Sequence, residues 1–302
     1  MFNRTKYLVT IIVLAAVSVG VSVTNAIFAY VDWIWIVLII LTGWTILRTR
    51  VLAPLQVFGT KFTMLVDYDL EIAEACRLAK EGADNAPTEK VKAIYQMYYG
   101  MGLYYAGDYE TAIRTFNLID LRRLEAVYHV LIVAFICYSA FEEGNLEAFR
   151  DALERLRGIR SAIGPKYQNF AANYIEILEA IAGLENDPEH YREIMDKHFS
   201  RDDGYISTRL IHHYRLALYD RQVGNLADMD RNLAFVIANG KSHHTVKQAE
   251  KLFTGSVNVS DFVLPDVAET VPAEEQETPQ IGADAPAEEH PKEEEEHKPE
   301  GK

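Results

Sequence analysis

Cysteine is nearly missing from this chain: Cys76 and Cys137 are the two in 302 residues. They do not form a pair with zinc or redox spacing, and each sits in an apolar helical stretch, so both read as small reduced core residues. Positive charge is equally thin. The formal net charge is −14, and no segment carries a dense basic run, which removes nucleic acid from the expected partners. Also missing are GxSxG, HExxH, a phosphate-binding loop and a GxGxxG following a strand. No part of the sequence gathers an acid, a base and a nucleophile. The expectation is a binding protein, not an enzyme, with no cofactor and no metal.

Charge is absent from a further region. Residues Tyr7–Val23 contain none, and Ile27–Leu47 contain only Asp32. The second run, at 1.5 Å per residue, reaches roughly 31 Å, about one bilayer core. Trp33, Trp35 and Trp44 suit interfacial positions. Arg4 and Lys6 precede the first run, while Arg48, Arg50 and Lys61 follow the second. The positive-inside rule then predicts a two-span hairpin in the lipid bilayer (residues 1–50) with both termini cytoplasmic. A rival reading makes residues 1–26 a cleaved leader with a small residue at Ala26.

What the chain does have is a repeated turn. Gly107-Asp108-Tyr109, Gly144-Asn145-Leu146 and Gly224-Asn225-Leu226 share one pattern, and Gly183-Leu184-Glu185-Asn186-Asp187 is a degenerate copy. Successive glycines lie 37, 39 and 41 residues apart, a period that points to stacked helical hairpins. Glycine suits the end of one helix, and the Asp or Asn after it can cap the next. Asp67–Gly82 reads as an earlier half-unit, and Ser242–Phe253 as a terminal capping helix.

Within this array, Val91–Asp120 reads VKAIYQMYYGMGLYYAGDYETAIRTFNLID and resembles a tetratricopeptide repeat. Gly100 matches the small residue at the helix contact, Gly107-Asp108-Tyr109 the turn, and Ala112 and Phe116 the packing positions of the second helix. The resemblance implies an all-α solenoid over residues 60–255, whose first helices line a concave groove. Aligned on the turns, that groove would present Met97, Tyr98, Met101, Tyr104 and Tyr105 from one unit, and Phe135, Tyr138 and Glu142 from the next. Asn173, Tyr174 and Ile177 would follow, and then Ile211, Tyr214 and Arg215. The Lys/Asn set with which some family members clamp a peptide carboxylate is not there. An aromatic, methionine-rich groove suits a protein or peptide partner such as an apolar or amphipathic helix; the same residues would equally serve to fill a short closed array.

His212-His213 and His243-His244 are adjacent pairs, which diverge by about 100° on a helix and chelate one metal poorly. They read as surface or capping residues, and Glu142-Glu143 as a solvated helix end. From Asp261 onward fourteen carboxylates face three lysines, so residues 261–302 carry −11 of the charge and read as a disordered acidic tail. The functional expectation is a membrane-anchored cytoplasmic scaffold or adaptor. The alternative is an assembly or quality-control factor that acts on other integral membrane proteins through its hairpin.

Overall fold

The computed structural model describes residues 53–200 and 205–264, with scattered positions between 9 and 49. The chain divides into two units, Met1–Val263 and Leu264–Lys302. The second lies outside the described residues apart from Leu264, and so does nearly all of the expected tail. Asp261 itself belongs to a 3-10 turn, Val259–Phe262, whose Phe262 carbonyl accepts from Asn239 Nδ2 at 2.9 Å.

The membrane expectation is corrected. Among the described residues no helix is long and apolar enough to cross a membrane, so an integral protein with two spans is not supported. The expected hairpin lies largely outside the described residues.

Eleven helices and no strands make up the described part from Ala53 onward. They are α1 Ala53–Thr63, α2 Ile72–Asp84, α3 Glu89–Ala106, α4 Tyr109–Asn117, α5 Ala126–Glu142 and α6 Leu146–Ala162. Then come α7 Pro165–Gly183, α8 Pro188–Phe199, α9 Ile206–Val223, α10 Leu226–Asn239 and α11 His244–Leu252. From α2 onward each helix packs on the next, and α5 also touches α3 and α7. A π-helical turn, Met64–Tyr68, ends α1. The expected half-unit over Asp67–Gly82 is thereby split: Asp67 and Tyr68 close that turn, and the helix begins only at Ile72.

The repeated turn has a common geometry at three of its four sites. Gly107, Gly144 and Gly224 have φ of 79°, 75° and 80°, the left-handed conformation that costs glycine least. The next residue then caps the following helix. Asp108 accepts from Thr111 N, Asn145 from Ala148 N and Asn225 from Asp228 N. The fourth copy differs. Gly183 is the last residue of α7 and has no positive φ, and the cap is Asp187, which accepts from His190 N ahead of Pro188.

Gly100 lets α3 and α4 approach. A Cβ there would lie 2.6 Å from Phe116 Cε1, and Phe116 is itself buried at 2% exposure. Gly100→Ala should therefore cost about 1–3 kcal/mol by overpacking, read as a lower urea midpoint at unchanged slope.

The array closes on itself. Helix α11 packs on α9 and α10, but also on α3, and the π-helical turn packs on α9. At this seam Ser207 Oγ donates to Asp67 Oδ1 at 2.6 Å, and the rings of Tyr68 and Tyr205 lie 4.9 Å apart. Lys241 Nζ donates to the Asp69 carbonyl at 2.7 Å and Ser242 Oγ to the Leu70 carbonyl at 2.9 Å. Leu70 and Lys241, the two non-glycine residues with positive φ among those described, both sit there, at 55° and 46°. The helix expected at Ser242–Phe253 therefore does more than cover one end of the array.

Candidate functional site: a central aromatic cavity and the seam behind it

The odd-numbered helices α3, α5, α7 and α9 turn one face inward and line a half-open cavity of about 320 Å³ between them. Tyr104 and Tyr105 enter from α3, Phe135 and Tyr138 from α5, Phe170, Asn173 and Tyr174 from α7, and Ser207, Ile211 and Arg215 from α9. Asp67 of the π-helical turn and His198 and Phe199 of α8 complete much of the wall. The rings form a connected set. Tyr104 meets Phe135 edge-on at 5.2 Å, Tyr138 meets Tyr174 at 6.4 Å, and Phe170 meets Tyr174 at 5.2 Å. Burial pushes the hydroxyls of Tyr104, Tyr105 and Tyr138 well above the usual tyrosine range, and that of Tyr174 to about 12. All four stay protonated at neutral pH, as hydrogen-bonding groups on otherwise apolar walls.

Nine of the fourteen groove residues expected from the sequence line this cavity: Tyr104, Tyr105, Phe135, Tyr138, Asn173, Tyr174, Ile177, Ile211 and Arg215. The other five do not, and the reason is packing. Helix α1 and the residues after it cover part of α3, so Tyr98 meets Phe58 at 5.3 Å and Phe62 at 4.9 Å instead of facing a groove. Met101 packs in the same cluster, and Met97 is buried at 1% exposure. Tyr214 is buried beside Arg215, whose guanidinium carbon lies 5.7 Å from its ring centre.

Behind the cavity wall is a buried polar network. Arg215 Nη2 donates to Glu142 Oε1 at 2.8 Å, with both side chains no more than 7% exposed. Gln248 Nε2 of α11 donates to Glu142 Oε2 at 3.0 Å and to Tyr109 Oη at 2.8 Å. Tyr109 Oη lies 2.9 Å from His244 Nδ1. The direction of that bond follows the His244 tautomer. His243 Nδ1 is an acceptor, capping α11 by accepting from Thr245 N. Burial works against the Arg215 charge, but Glu142 and the surrounding tyrosines outweigh it and hold the guanidinium protonated.

Two expectations are corrected here. Glu142 is not a solvated helix end but the counter-ion of a buried arginine. His243 and His244 are not surface residues: they are 1% and 3% exposed, with ring centres 4.5 Å apart. His243 does cap a helix, as expected. Their Nε2 atoms are buried without a hydrogen-bond partner. The roles of Asp67, His198 and Ser207 were missed, since nothing local marks them. One local signal was available: Arg215 has no acidic residue three or four positions away, so its counter-ion had to come from elsewhere in the chain. Among the described residues, no group of three or more His, Cys, Asp or Glu is gathered as a metal site. In comparisons with protein families, curated proteins and solved structures, nothing matches this chain.

Proposed function

We propose that this chain is a helical-repeat scaffold of the tetratricopeptide-like kind, which binds a segment of a protein or peptide partner in its central cavity and makes or breaks no covalent bond. The observation that carries this reading is the cavity itself. Its walls combine aromatic rings with hydroxyl, amide and guanidinium groups drawn from four successive hairpins and a carboxylate from the π-helical turn. Its volume of about 320 Å³ falls at the lower end of the range for ligand pockets. The left-handed glycine turns and the Gly100–Phe116 contact support the repeat assignment.

The volume also bears on the occupant. A helix about 10 Å across fills roughly 120 Å³ per residue of its length, so this cavity would take fewer than three residues of one. An extended segment inserting one or two side chains fits better than an amphipathic helix laid along a groove.

The test is selection of short peptides from a display library on the full-length chain, with affinities then measured for wild type and Asn173→Trp. Asn173 is exposed at the cavity wall, so tryptophan there should obstruct entry and leave the core intact. The expected result is at least a tenfold loss of affinity at unchanged thermal stability. Equal binding to both proteins would place the interaction elsewhere.

A further inference from the structure

We infer that the group seated in the cavity is a cation, a lysine or arginine side chain of the partner segment, held by aromatic faces and the Asp67 carboxylate. This inference rests on the cavity being the binding site. Seven of the sixteen lining residues are aromatic, enough for a small group to meet several rings at once. Those faces carry the negative lobe of the ring quadrupole and attract a cation most strongly where water is excluded.

The charges of the lining point the same way. Arg215 and His198 are its two basic residues, and each already has a carboxylate beside it. Arg215 meets Glu142 at 2.8 Å, and His198 Nε2 lies 2.8 Å from Glu176 Oε2. Asp67 is the one acidic residue among the described lining residues. It is an engaged carboxylate, with Ser207 Oγ at 2.6 Å among its contacts. A carboxylate offers about four acceptor positions, so existing partners do not prevent it from facing a further donor. Its field already reaches the cavity, since after burial it is the leading cause holding the Tyr105 hydroxyl protonated. An anion entering the same space would meet Asp67 directly and Glu142 behind the arginine. A neutral apolar chain would leave the tyrosine hydroxyls of the wall without partners.

The experiment uses four blocked tripeptides, acetyl-Ala-X-Ala-amide, where X is lysine, trimethyllysine, norleucine or glutamate. Tetramethylammonium is added as a fifth probe. Each is titrated against the full-length chain by ligand-observed NMR, with Asn173→Trp as the obstructed control. The expected result is that lysine or trimethyllysine binds at least tenfold more tightly than norleucine, and that Asp67→Asn reduces the ratio to less than threefold. Binding of the lysine tripeptides well above tetramethylammonium assigns the cation to a peptide side chain; equal binding would overturn the peptide source. Norleucine or glutamate binding as tightly as lysine, and lost in Asn173→Trp, would overturn the cation while leaving the cavity as the site. No binding by any probe would overturn both. The wild-type series decides the matter even if Asp67→Asn fails to fold.

Discussion

Glu142→Leu should lower the unfolding free energy by about 3–5 kcal/mol, the usual cost of leaving one member of a buried ion pair without its partner. The substitution strands the Arg215 guanidinium, whose side chain is 5% exposed, and removes one of the two acceptors of Gln248 Nε2. The damage should concentrate at the seam, because Glu142 ties α5 to α9 through Arg215 and to α11 through Gln248. The double variant Glu142→Leu/Arg215→Leu should recover most of the loss, since two apolar residues carry no uncompensated charge. Urea titrations of wild type, both single variants and the double variant give the coupling directly. A Glu142→Leu loss below about 1 kcal/mol would mean that water reaches the pair and that it behaves as a surface bridge.

The second large effect is acid sensitivity from the histidine pair. Burial pulls the His244 pKa down to about 3, with Arg215 adding to the shift, and burial with His244 nearby holds His243 well below the usual histidine range. The geometry agrees for His243: its Nδ1 accepts from Thr245 N, so protonation there forfeits the helix cap. The groups around them offer little compensation. They are Tyr104 and Tyr105 of α3 and Tyr109 of α4, with the Arg215 cation and its Glu142 partner nearby. The sign follows. Below about pH 6.5 the unfolded chain binds protons that the folded chain refuses, so stability is full above that pH and falls as the pH drops toward 3. For His244 alone the loss at about pH 4.5 is roughly 2–3 kcal/mol. Replacing the pair, as His243→Asn/His244→Gln, should flatten this limb. Asp230 acts in a separate window. Burial raises its pKa, but hydrogen bonds from Thr254 and Ser256 more than offset that and bring it to about 2, so its contribution is lost only at lower pH.

How far these features were legible in the sequence depends on their range. The three glycine turns were legible because each is a local event: a left-handed glycine followed by an Asx cap needs only four residues to specify it. The fourth reads as degenerate in the sequence and differs in geometry, since a glycine can also end a helix in ordinary helical geometry. Aligning the repeats on their turns placed Phe135 and Tyr138 of α5 and Ile211 and Arg215 of α9 on one face, and these four line the cavity. Closure was not legible. Tyr109 and His244 are 135 residues apart, Asp67 and Ser207 140, and Ser242 and Leu70 172. No periodicity encodes such pairings. For the same reason Glu142, next to Glu143 at a helix end, looked solvated, and Tyr98 looked like groove lining until α1 was found against it.

The measurement that tests the central claim most directly is fluorine NMR of the full-length chain labelled with 3-fluorotyrosine, titrated with a peptide selected as above. Tyr138 and Tyr174 line the cavity, whereas Tyr191 is buried outside it. A partner segment in the cavity should shift the Tyr138 and Tyr174 resonances in proportion to occupancy and leave Tyr191 unmoved. Saturable binding with Tyr138 and Tyr174 unchanged would contradict the account.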